Sequence, residues 1–218
     1  MIPGAARARL LALAWLLLAS AAAAAPPGME RSLERIRHEW ALAAFELPPE
    51  RRVAALEILA EMARRVAERF PGEVQPQVWE GIILASLADN RGAVAGYFTA
   101  HSARELLQAA ESRQPSALDG PGYAALGLLY GSAPGWPFSF GDPATARAYF
   151  EKAVATAPES METHYFYGGF LLRQGESAAA ARHLRQALRE PIRSDPGDPA
   201  AHGRREVRRD LARAEGRP

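Results

Sequence analysis

The sequence contains no cysteine and only one lysine, Lys152. The absence of cysteine excludes disulfides, thiolate metal sites, a thiol nucleophile and a lipid-modified cysteine behind a signal sequence. The charge is also nearly balanced, because loss of Arg7 and Arg9 with the N-terminal segment takes the 26 basic residues to 24, against 25 acidic ones. Such a balance does not indicate binding to nucleic acid.

The first 25 residues have the layout of a secretory signal peptide. Arg7 and Arg9 precede an apolar run over residues 10–18, and a tract of alanines follows. The run is shorter than the ~20 residues that a membrane-spanning helix needs. We therefore predict export to the periplasm, cleavage after one of residues 22–24, and no stable membrane anchor afterwards. The alternative is an uncleaved N-terminal anchor.

Motifs for catalysis or for binding a metal or cofactor are missing from the sequence. No two of the five histidines have the i,i+4 spacing of zinc ligands on one helix, and His164 and His183 are interpreted as surface or partly packed residues. There is no glycine-rich phosphate loop and no nucleophile elbow. We therefore predict a protein that is not an enzyme and that needs no cofactor. The histidines are His38, His101, His164, His183 and His202.

A spacing of small, large and small residues recurs three times, each time ahead of a proline. Its offsets match the second helix of a tetratricopeptide unit, and Gly81, Gly127 and Gly168 fit position 8 of the first helix. We therefore predict an all-α, tetratricopeptide-like helical-hairpin solenoid of about four helix pairs plus a C-terminal capping helix. The three copies are Ala103, Leu107, Ala110 and Pro115; Ala146, Phe150, Ala153 and Pro158; and Ala180, Leu184, Ala187 and Pro191.

These units predict a single helical-repeat domain over residues 26–218, behind the signal peptide at residues 1–25. By the 34-residue period, about ten extra residues separate Gly81 from Ala103 and about seven separate Gly127 from Ala146. The first insertion either lengthens a helix or forms a loop. Insertions in repeats usually lie on one functional face. The predicted parts are a divergent first pair at 29–70, repeats at about 74–115, 120–158 and 161–191, and a capping helix at about 202–214.

The first helix of each pair is expected to line the concave side of the solenoid. Tetratricopeptide domains that clamp a peptide carboxylate present lysine, asparagine and arginine there, but this set is mainly apolar and small. An apolar groove favours a partner's apolar segment or a hydrophobic small molecule, unless the protein's own neighbouring helices close it. The candidate lining residues are Val78, Ile82, Ala124, Leu128, Tyr165 and Leu172.

The second insertion, residues 133–142, is rich in proline and aromatic residues. Trp136, Phe138 and Phe140 alternate, so all three would point to one side of an extended loop. Asp142, followed by proline, is the predicted N-cap of the next helix. The loop either binds a partner or ligand, or packs as a plug over the edge of the solenoid, since large aromatics are costly to leave in water.

Several motifs together resemble a known family. They are LGLLYGSAPGWPFSFGD, the A-x-x-x-F-x-x-A helix that follows it, HYFYGGFLL and an arginine-rich closing helix. In these, the chain resembles bacterial exported tetratricopeptide proteins of the TatT type, the T-components associated with some TRAP transporters. The resemblance covers roughly residues 79–211. It implies a periplasmic helical-repeat protein, an accessory role beside a solute-binding protein, and a central hydrophobic groove or channel.

The sequence therefore favours an exported scaffold that binds a partner protein, with a periplasmic solute-binding protein as the partner that the resemblance implies. The alternative function is a carrier that holds a hydrophobic small molecule in its apolar groove. Self-association into a homo-oligomer is left open.

Overall fold

The computed structural model describes residues 26–189 and 199–216. Those residues form nine α-helices and no β-strand, which confirms the all-α solenoid of four helix pairs and a closing helix. The predicted signal peptide and Pro191 lie outside them. The helices are α1 (Met29–Ala41), α2 (Pro49–Arg69), α3 (Gln75–Ala95), α4 (Tyr97–Arg113), α5 (Asp119–Ser132), α6 (Pro143–Thr156), α7 (Met161–Arg173), α8 (Ser177–Ala187) and α9 (Pro199–Ala214).

The helices after α2 form three antiparallel hairpins, α3–α4, α5–α6 and α7–α8. Their first helices, α3, α5 and α7, pack side by side in chain order. The second helix of the divergent first pair, α2, lies mostly against α3, and α9 covers α8 and α7. The solenoid therefore has a front layer built from α3, α5 and α7.

The repeat register read from the sequence is confirmed by the core. The small and large residues of all three copies are completely buried, as in Ala146, Phe150 and Ala153. A Cβ atom added at Gly168 would lie 2.7 Å from Cγ of Leu184, and the same close approach occurs between Gly81 and Leu107 and between Gly127 and Phe150. Glycine at position 8 thus lets the large residue of the second helix pack against the front helix.

The first insertion lengthens helices rather than forming a loop. Helical structure continues from α3 to Arg91 and is broken only at Gly92, where φ is 77°. Helix α4 then begins at Tyr97. Side-chain hydrogen bonds hold this extension, since Arg91 donates to the Thr99 hydroxyl at 2.8 Å and to the Glu57 carboxylate at 2.6 Å.

Helix α1 covers the front layer. Near its end, the indole N–H of Trp40 donates to the Ser86 hydroxyl of α3 at 2.9 Å. The Trp40 ring lies edge-on to Trp79, with centroids 5.9 Å apart, and also contacts Phe166 of α7. Helix α1 therefore occupies the space in front of α3, α5 and α7.

The two ends of the described chain meet. A π-helical turn, Leu42–Glu46, continues α1 and packs against α9. Phe45 in this turn contacts Tyr165, with ring centroids 5.6 Å apart, and lies close to Gly203 of α9. The Arg52 guanidinium of α2 forms an ion pair with Glu206 of α9 at 3.3 Å. These contacts close the solenoid on itself.

Candidate functional site

The candidate groove residues lie on the front layer, and most of them are covered. Val78, Ile82, Ala124 and Leu128 are buried, whereas Tyr165 and Leu172 are partly exposed and pack against the core. Burial, followed by the negative charges of Asp210 and Glu206, raises the pKa of the Tyr165 phenol well above its usual range.

The space remaining in front of these helices is divided by Trp40. Beside the Trp40 ring, between Ile82 and Leu128, the gap has a volume of only about 10 Å³. Toward Gln75, an opening of about 420 Å³ has both apolar and charged walls, the latter including Arg37 and Glu162. The middle of the predicted groove is therefore closed by helix α1, in line with the sequence interpretation in which the protein's own helices cover this face.

The second insertion forms a compact turn. The Gly141 amide donates to the Pro134 carbonyl at 2.8 Å, and the Phe138 amide donates to the Gly135 carbonyl at 3.1 Å. Asp142 caps α6 as predicted, because its carboxylate accepts hydrogen bonds from the Thr145 and Ala144 amides. A hydrogen bond from the Thr145 hydroxyl, followed by those from the Thr145 and Ala144 amides, lowers the pKa of Asp142.

The expectation that all three aromatics of this loop point to one side is wrong, because the loop turns back on itself instead of running extended. Phe140 faces inward, where its ring contacts His101 at 4.9 Å and Tyr130 at 5.4 Å between centroids. The Arg104 guanidinium lies 4.2 Å from the centroid of the same ring. Trp136 and Phe138 are exposed to solvent. The loop thus has one packed aromatic and two solvent-facing ones.

Both insertions lie at one edge of the solenoid, where α3 passes into α4 and α5 passes into α6. We call residues 89–98 and 133–142 together the insertion edge. Contacts join the two sides, since the Ser132 hydroxyl at the end of α5 donates to the Asp89 carboxylate at 2.7 Å. His101 of α4, beside Tyr97, lies within hydrogen-bond distance of the Ser139 hydroxyl at 3.3 Å.

The insertion edge carries most of the exposed large hydrophobic side chains of the described residues. The described residues include five such side chains, and four of them belong to the insertions. None of the five is part of the hydrophobic core. They are Val94 (92% exposed), Phe98 (82%), Trp136 (89%) and Phe138 (78%), and the fifth is Ile58 (68%) on α2.

A cavity of about 280 Å³ lies beneath the insertion edge, between the two insertions. Half of its lining residues are glycines and alanines, mainly from α3, and Leu128, Leu129 and Pro134 complete the apolar wall. Its polar wall consists of side chains from both insertions and from the end of α7. These polar residues are Asp89, Tyr97, Ser132, Ser139 and Arg173.

The sequence interpretation missed a contact between two histidines. His164 on α7 and His183 on α8 were treated as unrelated, yet their Nδ1 atoms are 2.9 Å apart. They occupy positions 4 and 23 of the same repeat, on helices that face one another, so the repeat register was the signal that could have paired them.

The described residues form a helical-repeat fold with exposed apolar side chains at the insertion edge. The comparison with known families agrees with the helical-repeat fold. A tetratricopeptide-repeat family profile matches residues 138–199, which include α6, α7 and α8. A comparison with curated proteins found no match. The chain is therefore supported as a tetratricopeptide-repeat protein, a class that generally serves as a scaffold for protein–protein interaction. None of the described helices is both long and apolar enough to cross a membrane.

Proposed function

We propose that this protein is an exported, non-enzymatic scaffold that docks a partner protein through its insertion edge. The observation that carries the proposal is the position of Val94, Phe98, Trp136 and Phe138, the four exposed large hydrophobics that lie on the insertions. Large apolar side chains kept in water are costly, so four of them on the two insertions support an interaction surface there. Tryptophan is also among the residues that most often dominate binding energy at interfaces.

The filled front layer supports this choice of surface. Tetratricopeptide scaffolds use their concave side when it is open, but here Trp40 leaves a gap of about 10 Å³ in the middle of it. The same closure favours the scaffold over the alternative carrier, whose hydrophobic ligand would need that space. The insertion edge, by contrast, presents Trp136 and Phe138 outward on a loop held by backbone hydrogen bonds. Binding a partner there would therefore cost little loss of conformational entropy in the loop backbone.

Export and the partner's identity rest on sequence. The layout of residues 1–25 supports export to the periplasm, and the resemblance to T-components of TRAP transporters makes a TRAP solute-binding protein the first partner to test. N-terminal sequencing of the protein from a periplasmic fraction should begin between residues 23 and 25. Recovery of intact Met1 in the membrane pellet would contradict export with cleavage and would favour the uncleaved anchor.

Pull-down from a periplasmic extract of the source bacterium, followed by mass spectrometry, tests the docking surface. The wild-type protein should recover one stoichiometric partner, and Trp136→Ala with Phe138→Ala should lose it. Ile58→Ala is the matched control, because Ile58 is also an exposed large hydrophobic but belongs to α2 and not to the insertions. Equal recovery by all three proteins would show that the insertion edge is not the docking surface.

A further inference from the structure

The cavity beneath the insertion edge has walls that suit a small organic molecule. Small residues create the space, since Gly92, Gly96 and Gly131 face it together with several alanines. At ~30 Å³ for each water molecule in the liquid, 280 Å³ corresponds to about nine waters, or on the order of ten non-hydrogen atoms of a ligand. This volume lies near the lower end of the range for small-molecule sites.

The polar groups of the wall differ in whether their hydrogen bonds are satisfied. Ser132 donates to Asp89, and Ser139 is paired with His101. The Arg173 guanidinium and the Tyr97 hydroxyl, in contrast, make no hydrogen bond to any residue within 26–189 or 199–216. Arg173 is exposed, and its charge also acts on Asp210 of α9, so its guanidinium faces water at the wall of the cavity. Both groups can donate to a ligand that accepts hydrogen bonds.

The position of Arg173 suits a negatively charged acceptor. Its guanidinium extends back along α7 so that Nη1 would lie 3.9 Å from a Cβ atom at Gly169, where glycine leaves space. Arginine binds carboxylates strongly because its planar group can donate two parallel hydrogen bonds. The charge on Asp89, on the same wall, disfavours a second negative charge on the ligand.

We infer that this cavity binds a small monocarboxylate with an apolar body, whose carboxylate pairs with Arg173 while its body lies against the alanines and glycines of α3, α4 and α5. Tyr97 donates a further hydrogen bond to the ligand. Trp136 and Phe138 do not line this cavity, although other residues of the insertion edge do.

Isothermal titration calorimetry of the purified protein with phenylacetate tests the inference. Phenylacetate has ten non-hydrogen atoms and one negative charge, and phenylacetamide is its neutral analogue of the same size. We expect saturable binding of phenylacetate, and binding of phenylacetamide that is weaker by about tenfold or more, because a charge-assisted hydrogen bond is lost. No binding of phenylacetate, or equal binding of the two compounds, would overturn the inference.

Two variants with matched controls locate the site. Arg173→Gln should weaken phenylacetate binding by about tenfold or more, whereas Arg182→Gln, outside the cavity on α8, should leave it unchanged. Ala93→Phe should block the mouth of the cavity, and Ala95→Phe, at an exposed position that does not line it, should not. Circular dichroism should report the wild-type helix content for all four. Wild-type affinity in folded Arg173→Gln and Ala93→Phe would show that phenylacetate binds elsewhere and would overturn the assignment.

Discussion

The Nδ1 atoms of His164 and His183 lie 2.9 Å apart between α7 and α8. Nε2 of His164 is 2.8 Å from the Pro158 carbonyl, which can only accept, so this nitrogen carries the proton. The contact between the two Nδ1 atoms is then a single hydrogen bond, with the proton on one of the two rings.

This pair should make stability depend on pH. Burial, followed by the charges of His164 and Arg182, lowers the pKa of His183 from 6.5 to about 4. Between these values, the unfolded chain binds a proton that the folded protein does not, so stability rises with pH. We expect the melting temperature to be highest above about pH 6.5 and to fall as the pH decreases toward 4.

The substitution His183→Gln should reduce this dependence, since glutamine keeps a donor for His164 but does not titrate. His101→Gln, at the insertion edge, is the control and should retain the dependence. The measurement is the melting temperature from pH 7.5 to 4 for the three proteins. Parallel curves for wild type and His183→Gln would mean that other groups cause the pH dependence.

The two tryptophans Trp40 and Trp136 should respond in opposite ways to truncation. Trp136→Ala should change the free energy of unfolding by less than about 0.5 kcal/mol, because the side chain is exposed. Trp40→Ala should cost about 3–5 kcal/mol, because Trp40 is completely buried among aromatic rings. Urea denaturation measures both. A large loss for Trp136→Ala would mean that the loop packs as a plug.

The buried alanines of the repeat leave no room for a larger side chain. Ala153→Leu should overpack the contact between α6 and its neighbours and cost about 1–3 kcal/mol. Ala155→Leu, on the exposed side of the same helix, is the control and should be close to neutral. Equal melting temperatures for the two variants would show that the close approach at Ala153 is absent.

The closure of the solenoid rests partly on the ion pair between Arg52 and Glu206. Both side chains are mostly buried, so a double-mutant cycle with Arg52→Met and Glu206→Gln should give a coupling energy of about 0.5–3 kcal/mol. The exposed pair Glu61–Arg64 on α2 is the comparison and should couple less, because water screens it. A coupling energy near zero for Arg52 and Glu206 would indicate that α9 does not depend on this contact.

Local spacing was enough to predict the helical core. The small and large residues around Phe150 and Leu184 recur at offsets that only one kind of helix pair satisfies, and each packs against its own repeat's glycine at position 8. Such contacts lie within about 30 residues along the chain, inside one 34-residue unit. The repeat pattern therefore predicts these contacts. It also located the two insertions, because each lengthens the distance between position 8 and position 20 of its unit.

The site was less accessible to sequence reasoning. The three aromatics of the loop were placed on one side by an alternation rule for extended chains, but the hydrogen bonds of Gly135 and Gly141 turn the loop, so Phe140 packs inward. Likewise, the pattern could not decide whether the first insertion was helix or loop, since Arg91 is held by Glu57 of α2, a residue far away in the sequence.

The sequence by itself thus determined the helix pairs, their register and the positions of the insertions, because these depend on contacts between neighbouring helices. Only the tertiary structure decided that α1 fills the front layer, that α9 meets the π-helical turn, and that the two insertions enclose one cavity. Each of these depends on residues distant in sequence, such as Trp40 with Ser86 and Arg52 with Glu206. Their pairing follows from how the whole solenoid curves, which no local spacing encodes.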